Sequence, residues 1–197
     1  MENGNNALPD SVRLPFNFDP EKLKTELKAL ESEYWVGHFV KHNYEGDWSV
    51  LPLTAPKGRE HPILMASAIP GDHEFISTPF LEKSSYLKEV LGSFQTQLRS
   101  ARLMRLGPNS EIKEHRDFDL DEKEVRIHIP ILTNSKVLFF LNGKKVHMNS
   151  GECWYLKLSN PHRVLNQSEE ERVHLVIDMV LNSWLWDTIN KHGETNL

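Results

Sequence analysis

Between Glu124 and Leu132 apolar and polar side chains alternate without a break. Val125, Ile127, Ile129 and Ile131 fall on one side, and Arg126, His128 and Pro130 on the other. Period two marks a β-strand with two unlike faces. Residues 172–180 repeat the pattern, with Arg172, His174, Val176 and Asp178 opposite Val173, Leu175, Ile177 and Met179. A third stretch, 100–106, sets Arg102, Met104 and Leu106 against Leu103 and Arg105. If helices cover the sheet, the apolar sets face outward onto them and the polar sets face inward, as in a small barrel lined by a polar site. Arginines on such half-apolar surfaces are costly unless an anion answers them.

Helical periodicity appears at the ends and in one inner segment. Asp19-Pro20-Glu21 supplies the N-cap, N1 proline and early acid of a helix start, after which Leu23, Leu27, Leu30 and Tyr34 share one face. This helix is expected on the apolar outside of the barrel. A second helix is predicted from Pro79 to about Gly92, with Phe80, Leu81, Leu87, Val90 and Leu91 apolar, and a closing helix around Trp184, Leu185 and Ile189. Asn142-Gly143 between two apolar runs predicts a type I′ hairpin. The Gly and Pro content of residues 44–56 rules out a helix there and suggests a loop, in which Trp48 either lines a substrate mouth or plugs an edge of the core.

Composition narrows the class. With 197 residues, 39% hydrophobic and no repeat, one domain spanning 1–197 is expected, with its barrel core over about 99–181 and a polar, frayed start over 1–12. The net charge of −5, without a basic run, argues against nucleic acid or an anionic membrane as partner. No segment has the apolar length of a membrane span, and no basic start followed by an apolar run marks a leader. The single Cys153 cannot form an intramolecular disulfide and reads as a packed thiol, which agrees with a cytoplasmic location. The acidic clusters 119–124 and 169–171 read as solvated loops.

The chemistry concentrates in His115-Arg116-Asp117, His162 and Arg172. An imidazole and a carboxylate two residues apart, completed by a distant imidazole, form a facial triad that holds a redox metal and leaves positions open. Neutral imidazoles and one carboxylate suit iron(II). His174 also falls on an inward face and rivals His162 as third ligand, whereas His38, His42, His61, His73, His147 and His192 match no position of the pattern and default to surface or loop histidines.

Several motifs together resemble the aspartyl/asparaginyl β-hydroxylase-like branch of the iron(II)- and 2-oxoglutarate-dependent dioxygenases, including small bacterial free-amino-acid proline hydroxylases. They are His115-Arg-Asp117, Arg126-Ile-His128, Gly151-Glu-Cys-Trp154, Asn160-Pro-His-Arg-Val-Leu-Asn166 and Arg172-Val-His-Leu-Val-Ile-Asp178. The resemblance implies a mainly β fold with flanking helices, the double-stranded β-helix or cupin-like jelly roll. It implies His115, Asp117 and His162 as iron ligands, and Arg172 as the clamp on the far carboxylate of 2-oxoglutarate. His128 is implied as a second cosubstrate contact, and Arg102 and Arg126 as contacts to a substrate carboxylate. In the family the distal ligand precedes the arginine, which favours His162 over His174. The long membrane-anchored members resembled here carry glycine where this chain has Asp117, so the carboxylate places the chain with the bacterial members. The expected activity is hydroxylation of an unactivated C–H of an amino acid or amino-acid residue, using Fe(II), 2-oxoglutarate and O2. The alternative is a cupin-like metal or small-acid binding protein without turnover.

Overall fold

The alternation over 124–132 becomes a strand near the centre of the larger of two facing sheets. The structure, a computed structural model, describes residues 7–66 and 73–193. In chain order the strands are β1 (Ser11–Asn17), β2 (Val36–Gly37), β3 (Tyr44–Glu45), β4 (Trp48–Pro52), β5 (Thr54–Pro56), β6 (Phe75–Ser77) and β7 (Leu98–Leu106). They continue with β8 (Ser110–His115), β9 (Glu124–Leu132), β10 (Val137–Leu141), β11 (Lys144–Val146), β12 (Glu152–Leu156), β13 (His162–Asn166) and β14 (Arg172–Val180). The helices are α1 (Pro20–Ala29), α2 (Pro62–Ala66), α3 (Pro79–Glu82), α4 (Ser85–Gly92) and α5 (Ser183–Gly193).

The seven-stranded sheet runs β1-β12-β9-β14-β7-β4-β2, and the five-stranded sheet runs β11-β10-β13-β8-β3. Two packed antiparallel sheets with long crossovers between them form the jelly roll that the motifs implied. Antiparallel register places Val176 of β14 opposite His128 of β9 on one side and Arg102 of β7 on the other. The period-two reading therefore holds across three adjacent strands.

Each face has its own core. Val125, Ile127, Ile129, Ile131, Val173, Leu175 and Ile177 are fully buried against Leu23, Leu87, Val90, Leu185 and Ile189 of the helices. At about 1.5–3 kcal/mol per aliphatic side chain, this outer layer is a large share of what holds the fold. Between the sheets lies the second core, where Val50, Met104, Leu106 and Val176 meet Phe139, Leu141, Ile112 and Val164.

Local signals behave as physics requires. The Asp19 carboxylate accepts from the Glu21 and Lys22 amides at 2.9 and 3.2 Å, capping α1. Asn142 and Gly143 both take positive φ, 49° and 75°, in the hairpin that joins β10 to β11.

Other expectations need correction. The start is not frayed throughout 1–12: residues 1–6 lie outside the described residues, but Leu8 and Val12 are buried and β1 begins at Ser11. Tyr34 lies beyond the end of α1 and is exposed, because the helix closes at Ala29. The single helix expected over 79–92 is two. The Ser84 amide donates to the Leu81 carbonyl and its hydroxyl to the Phe80 carbonyl, which tightens the turn and ends α3. Residues 44–56 form three strands rather than a loop, so the barrel core extends well before 99. The cluster at 119–124 is not merely solvated. Asp121 accepts from the Tyr155 hydroxyl at 2.8 Å and the Ser159 amide at 3.0 Å, and Leu120 is buried.

Candidate metal centre

His115 ends β8 and His162 begins β13, and antiparallel pairing sets them directly opposite each other. Asp117 follows in the turn, where its amide donates to the Leu158 carbonyl at 2.9 Å. One donor atom from each of the three residues lies within 4.8 Å of the others. His115 Nε2 is 3.7 Å from Asp117 Oδ1, and His162 Nε2 is 3.9 Å from Asp117 Oδ2. Both imidazoles have Nδ1 against a backbone carbonyl, Lys113 at 2.7 Å and Asn160 at 3.0 Å. Donation from Nδ1 to a carbonyl directs Nε2 toward the cluster as the nitrogen that is bare in the neutral ring, the form that ligates a divalent metal. Burial holds the His162 pKa below its ordinary value, which also favours the neutral ring.

A β-bulge makes this geometry possible. Along β8, Ile112 pairs with Val164 and His115 with His162, so three steps on one strand answer two on the other. Ile112 and His115 stand an odd number of residues apart, yet both line the cavity. The exposed Lys113 and Glu114 absorb the change of parity.

On the opposite sheet Arg126, His128, Arg172, His174 and Asp178 lie on the inward face, as the alternation predicts. The two arginines expected to await a substrate are already paired. Register places Asp178 opposite Arg126, whose Nε and Nη2 reach its carboxylate at 2.6 and 3.0 Å. Arg102 Nη2 reaches the same carboxylate at 2.7 Å. Arg126 also donates through Nη1 to Asp117. Burial alone pushes the Asp178 carboxyl up, but the flanking Arg126 and Arg102 outweigh it and hold it below the usual range. One metal-ligand candidate is thus tied to the opposite sheet by an ion pair.

Arg172 is different. Its side chain is buried, and among the described residues no acid pairs with it. Its Nη2 donates to His174 Nδ1 at 2.8 Å, while Nε has no partner. Burial draws its pKa down to about 9, so it is charged at neutral pH. His128 and His174 are held well below 6.5, first by burial and next by the Arg172 charge, and are neutral.

A cavity of about 180 Å³ opens onto all of this. Its walls include His115, Asp117, His162, Arg102, Arg126, His128 and Arg172, so the structure brings every residue singled out for metal, cosubstrate and substrate to one space. Trp48 also lines it, from the first position of β4. His174 does not line the cavity and stands outside the ligand cluster.

Sequence reasoning missed His38. It lines the cavity with its ring stacked on Trp48, centroids 3.6 Å apart and planes 8° from parallel. Its Nδ1 accepts from the Val40 amide at 3.3 Å, and burial, reinforced by Arg102, lowers its pKa to about 4. Nothing in its spacing reveals this. Only the β2–β4 pairing of Gly37 with Ser49 sets it beside Trp48.

The aspartyl/asparaginyl beta-hydroxylase profile matches residues 18–181, and the chain belongs to that family. It is 29% identical over 165 residues to an L-proline cis-4-hydroxylase of Rhizobium meliloti (strain 1021), covering 82% of this chain and 57% of that protein. It is 27% identical over 171 residues to an L-proline cis-3-hydroxylase 1 of a Streptomyces species, covering 83% and 58% respectively. The chain therefore spans less than three fifths of the length of these curated relatives. Among solved structures it is similar to an oxidoreductase of the 2OG-Fe(II) oxygenase family from Burkholderia pseudomallei, with a TM-score of 0.53 at 16% identity, covering 87% of this chain and 85% of that one. That likeness supports the fold. No helix among the described residues is long and apolar enough to cross a membrane.

Proposed function

We propose that the chain is an iron(II)- and 2-oxoglutarate-dependent dioxygenase that hydroxylates an unactivated C–H of a small amino acid or amino-acid residue. The observation that carries this reading is a buried, charged arginine, with no acid partner among the described residues, in the same cavity as two imidazoles and a carboxylate. A guanidinium without an anion is costly at such a place, and a ligand carboxylate is its natural complement. His115, Asp117 and His162 would hold the metal. Arg172 would clamp the far carboxylate of 2-oxoglutarate, with the neutral His128 ring packed beside it as a wall of the pocket.

With O2 and 2-oxoglutarate, iron(II) in such a site supplies the oxidation that puts one oxygen atom into the substrate and the other into succinate, with loss of carbon dioxide. The protein's own residues bind and orient. Arg126 keeps one Asp117 oxygen engaged and so fixes the direction of the other. Three arginines face two aspartates around the cavity, so its walls are net positive and suit an anionic cosubstrate and a substrate carboxylate. Arg102, with its Nε unengaged, is the first contact for that carboxylate, Arg126 adds its field, and Trp48 with His38 forms an apolar wall for the rest of the substrate. The relatives named as L-proline hydroxylases make proline and similar small amino acids the first candidates.

The test is oxygen uptake by the purified protein with Fe(II), 2-oxoglutarate and each free amino acid, together with mass spectrometry for the gain of one oxygen. Uptake that needs all three components is expected. Its absence across the panel would favour the binding protein without turnover. His162→Ala should lose the metal while His174→Ala retains it. Arg172→Lys should weaken 2-oxoglutarate binding by roughly ten- to a hundred-fold, since lysine keeps the charge but not the fork.

A further inference from the structure

We propose that His174 is a positioning residue for the cosubstrate clamp: it holds the Arg172 guanidinium in place through a hydrogen bond and takes no part at the metal. The inference rests on the reading of Arg172 as the 2-oxoglutarate contact.

Arg172 and His174 lie two residues apart on the inward face of β14 and are both buried, at 3% and 1% exposure. A guanidinium can only donate, so the 2.8 Å contact from its Nη2 obliges His174 Nδ1 to accept. His174 is therefore the tautomer with its proton on Nε2. His128 Nδ1 approaches the same nitrogen at 3.4 Å from β9. Two bare nitrogens facing each other there would repel, so His128 carries its proton on Nδ1, and two donors converge on one acceptor. His128 then presents a bare Nε2, which cannot donate to a carboxylate. The hydrogen bonds to the distal carboxylate accordingly come from Arg172, and their geometry depends on what holds that side chain.

Little else holds it. No acid among the described residues pairs with Arg172, and its Nε has no protein partner. Phe139, packed against His128 with ring centroids 6.0 Å apart, and Val164 are apolar walls of the same space. Without His174 the guanidinium has lost its one acceptor among the described residues. A long side chain freed in this way must be ordered again when ligand binds, which weakens binding.

The experiment is calorimetric titration of anaerobic, Mn(II)-loaded protein with 2-oxoglutarate and, in parallel, with 2-oxobutanoate, which lacks the distal carboxylate. His174→Leu should bind 2-oxoglutarate about ten-fold more weakly, the scale of one hydrogen bond to a charged group. Its affinity for 2-oxobutanoate and for Mn(II) should be unchanged. His174→Asn, which restores an acceptor near the Nδ1 position, should recover most of the loss. In an Arg172→Ala background His174→Leu should add nothing, because the two residues act as one unit. Equal weakening for both oxo acids, or loss of Mn(II), or an undiminished effect in the Arg172→Ala background would overturn the inference while leaving the clamp intact. If Arg172→Ala itself binds 2-oxoglutarate like the parent, the clamp reading fails, and the role of His174 with it.

Discussion

The two faces of β9, β14 and β7 are made by the same strands, yet they are stabilised in opposite ways. Outward, Ile127, Ile129, Leu175 and Leu103 meet helices through contacts that any apolar side chain of the right volume can make. Inward, Arg126 and Arg102 share Asp178, Arg126 reaches on to Asp117, and Arg172 stands apart with, among the described residues, only an imidazole. The first face depends on burial and is insensitive to partner identity. The second depends on each charge having its own answer, and Arg172, with no acid opposite it among the described residues, is where the proposed cosubstrate carboxylate would sit.

The comparison is broken most severely at Asp178. Asp178→Ala strips the shared carboxylate from two buried guanidinia and should cost about 3–5 kcal/mol, read as a fall in the urea midpoint. A parent-like midpoint would mean that the inward charges are solvated rather than mutually held. On the outward face Ile127→Ala should cost about 2–4 kcal/mol by leaving a cavity, while metal and 2-oxoglutarate affinities stay as they are.

A smaller, graded effect concerns pH. His38, His128 and His174 have folded pKa values below the ordinary 6.5, that of His38 at about 4. The unfolded chain therefore binds protons below about pH 6.5 that the folded chain refuses, and stability is lost as pH falls from there. The slope is about 1.4 kcal/mol per pH unit for each imidazole. Thermal melts of metal-free protein between pH 7 and 4.5 should show it, and His38→Phe should remove one proton from the slope. Stability rising as pH falls would contradict the neutral, buried assignment.

The smallest effect on stability is expected at Arg172. Arg172→Met exchanges an unanswered buried charge for an apolar side chain of similar length, so the melting temperature should hold or rise, while 2-oxoglutarate binding collapses. A large destabilisation would place Arg172 with Asp178 as a structural charge.

These contrasts explain what was legible in the sequence. Strand faces follow from period two alone, so the inward set Arg126, His128, Arg172, His174 and Asp178 could be read directly, as could the capped helix at Asp19. The candidate ligands at 115, 117 and 162 were visible because metal chemistry restricts residue choice. The pairing of Arg126 with Asp178 was hidden, since it depends on the register of two strands whose partners are 52 residues apart. His38 was hidden for a similar reason: its role comes from a two-residue strand that propensity cannot detect. The break at Ser84 was missed because a serine hydroxyl competing for a backbone carbonyl leaves the apolar spacing of the segment unchanged.

The bulge at Lys113 and Glu114 also bears on how such a site can vary in descent. A point substitution replaces one side chain, but a change of one codon in this stretch of strand makes or removes the bulge that sets the strand's bend. Deleting Lys113 would put His115 two positions from Ile112, the spacing at which a regular strand shows both to the barrel, so the histidine keeps its place opposite His162 while the bulge is lost. An ancestor without the extra residue would therefore have had the same imidazole at this position in a straighter strand. Relatives that keep the chemistry should accordingly be sought among length variants at this strand, with two as well as three steps between the apolar residue and the histidine.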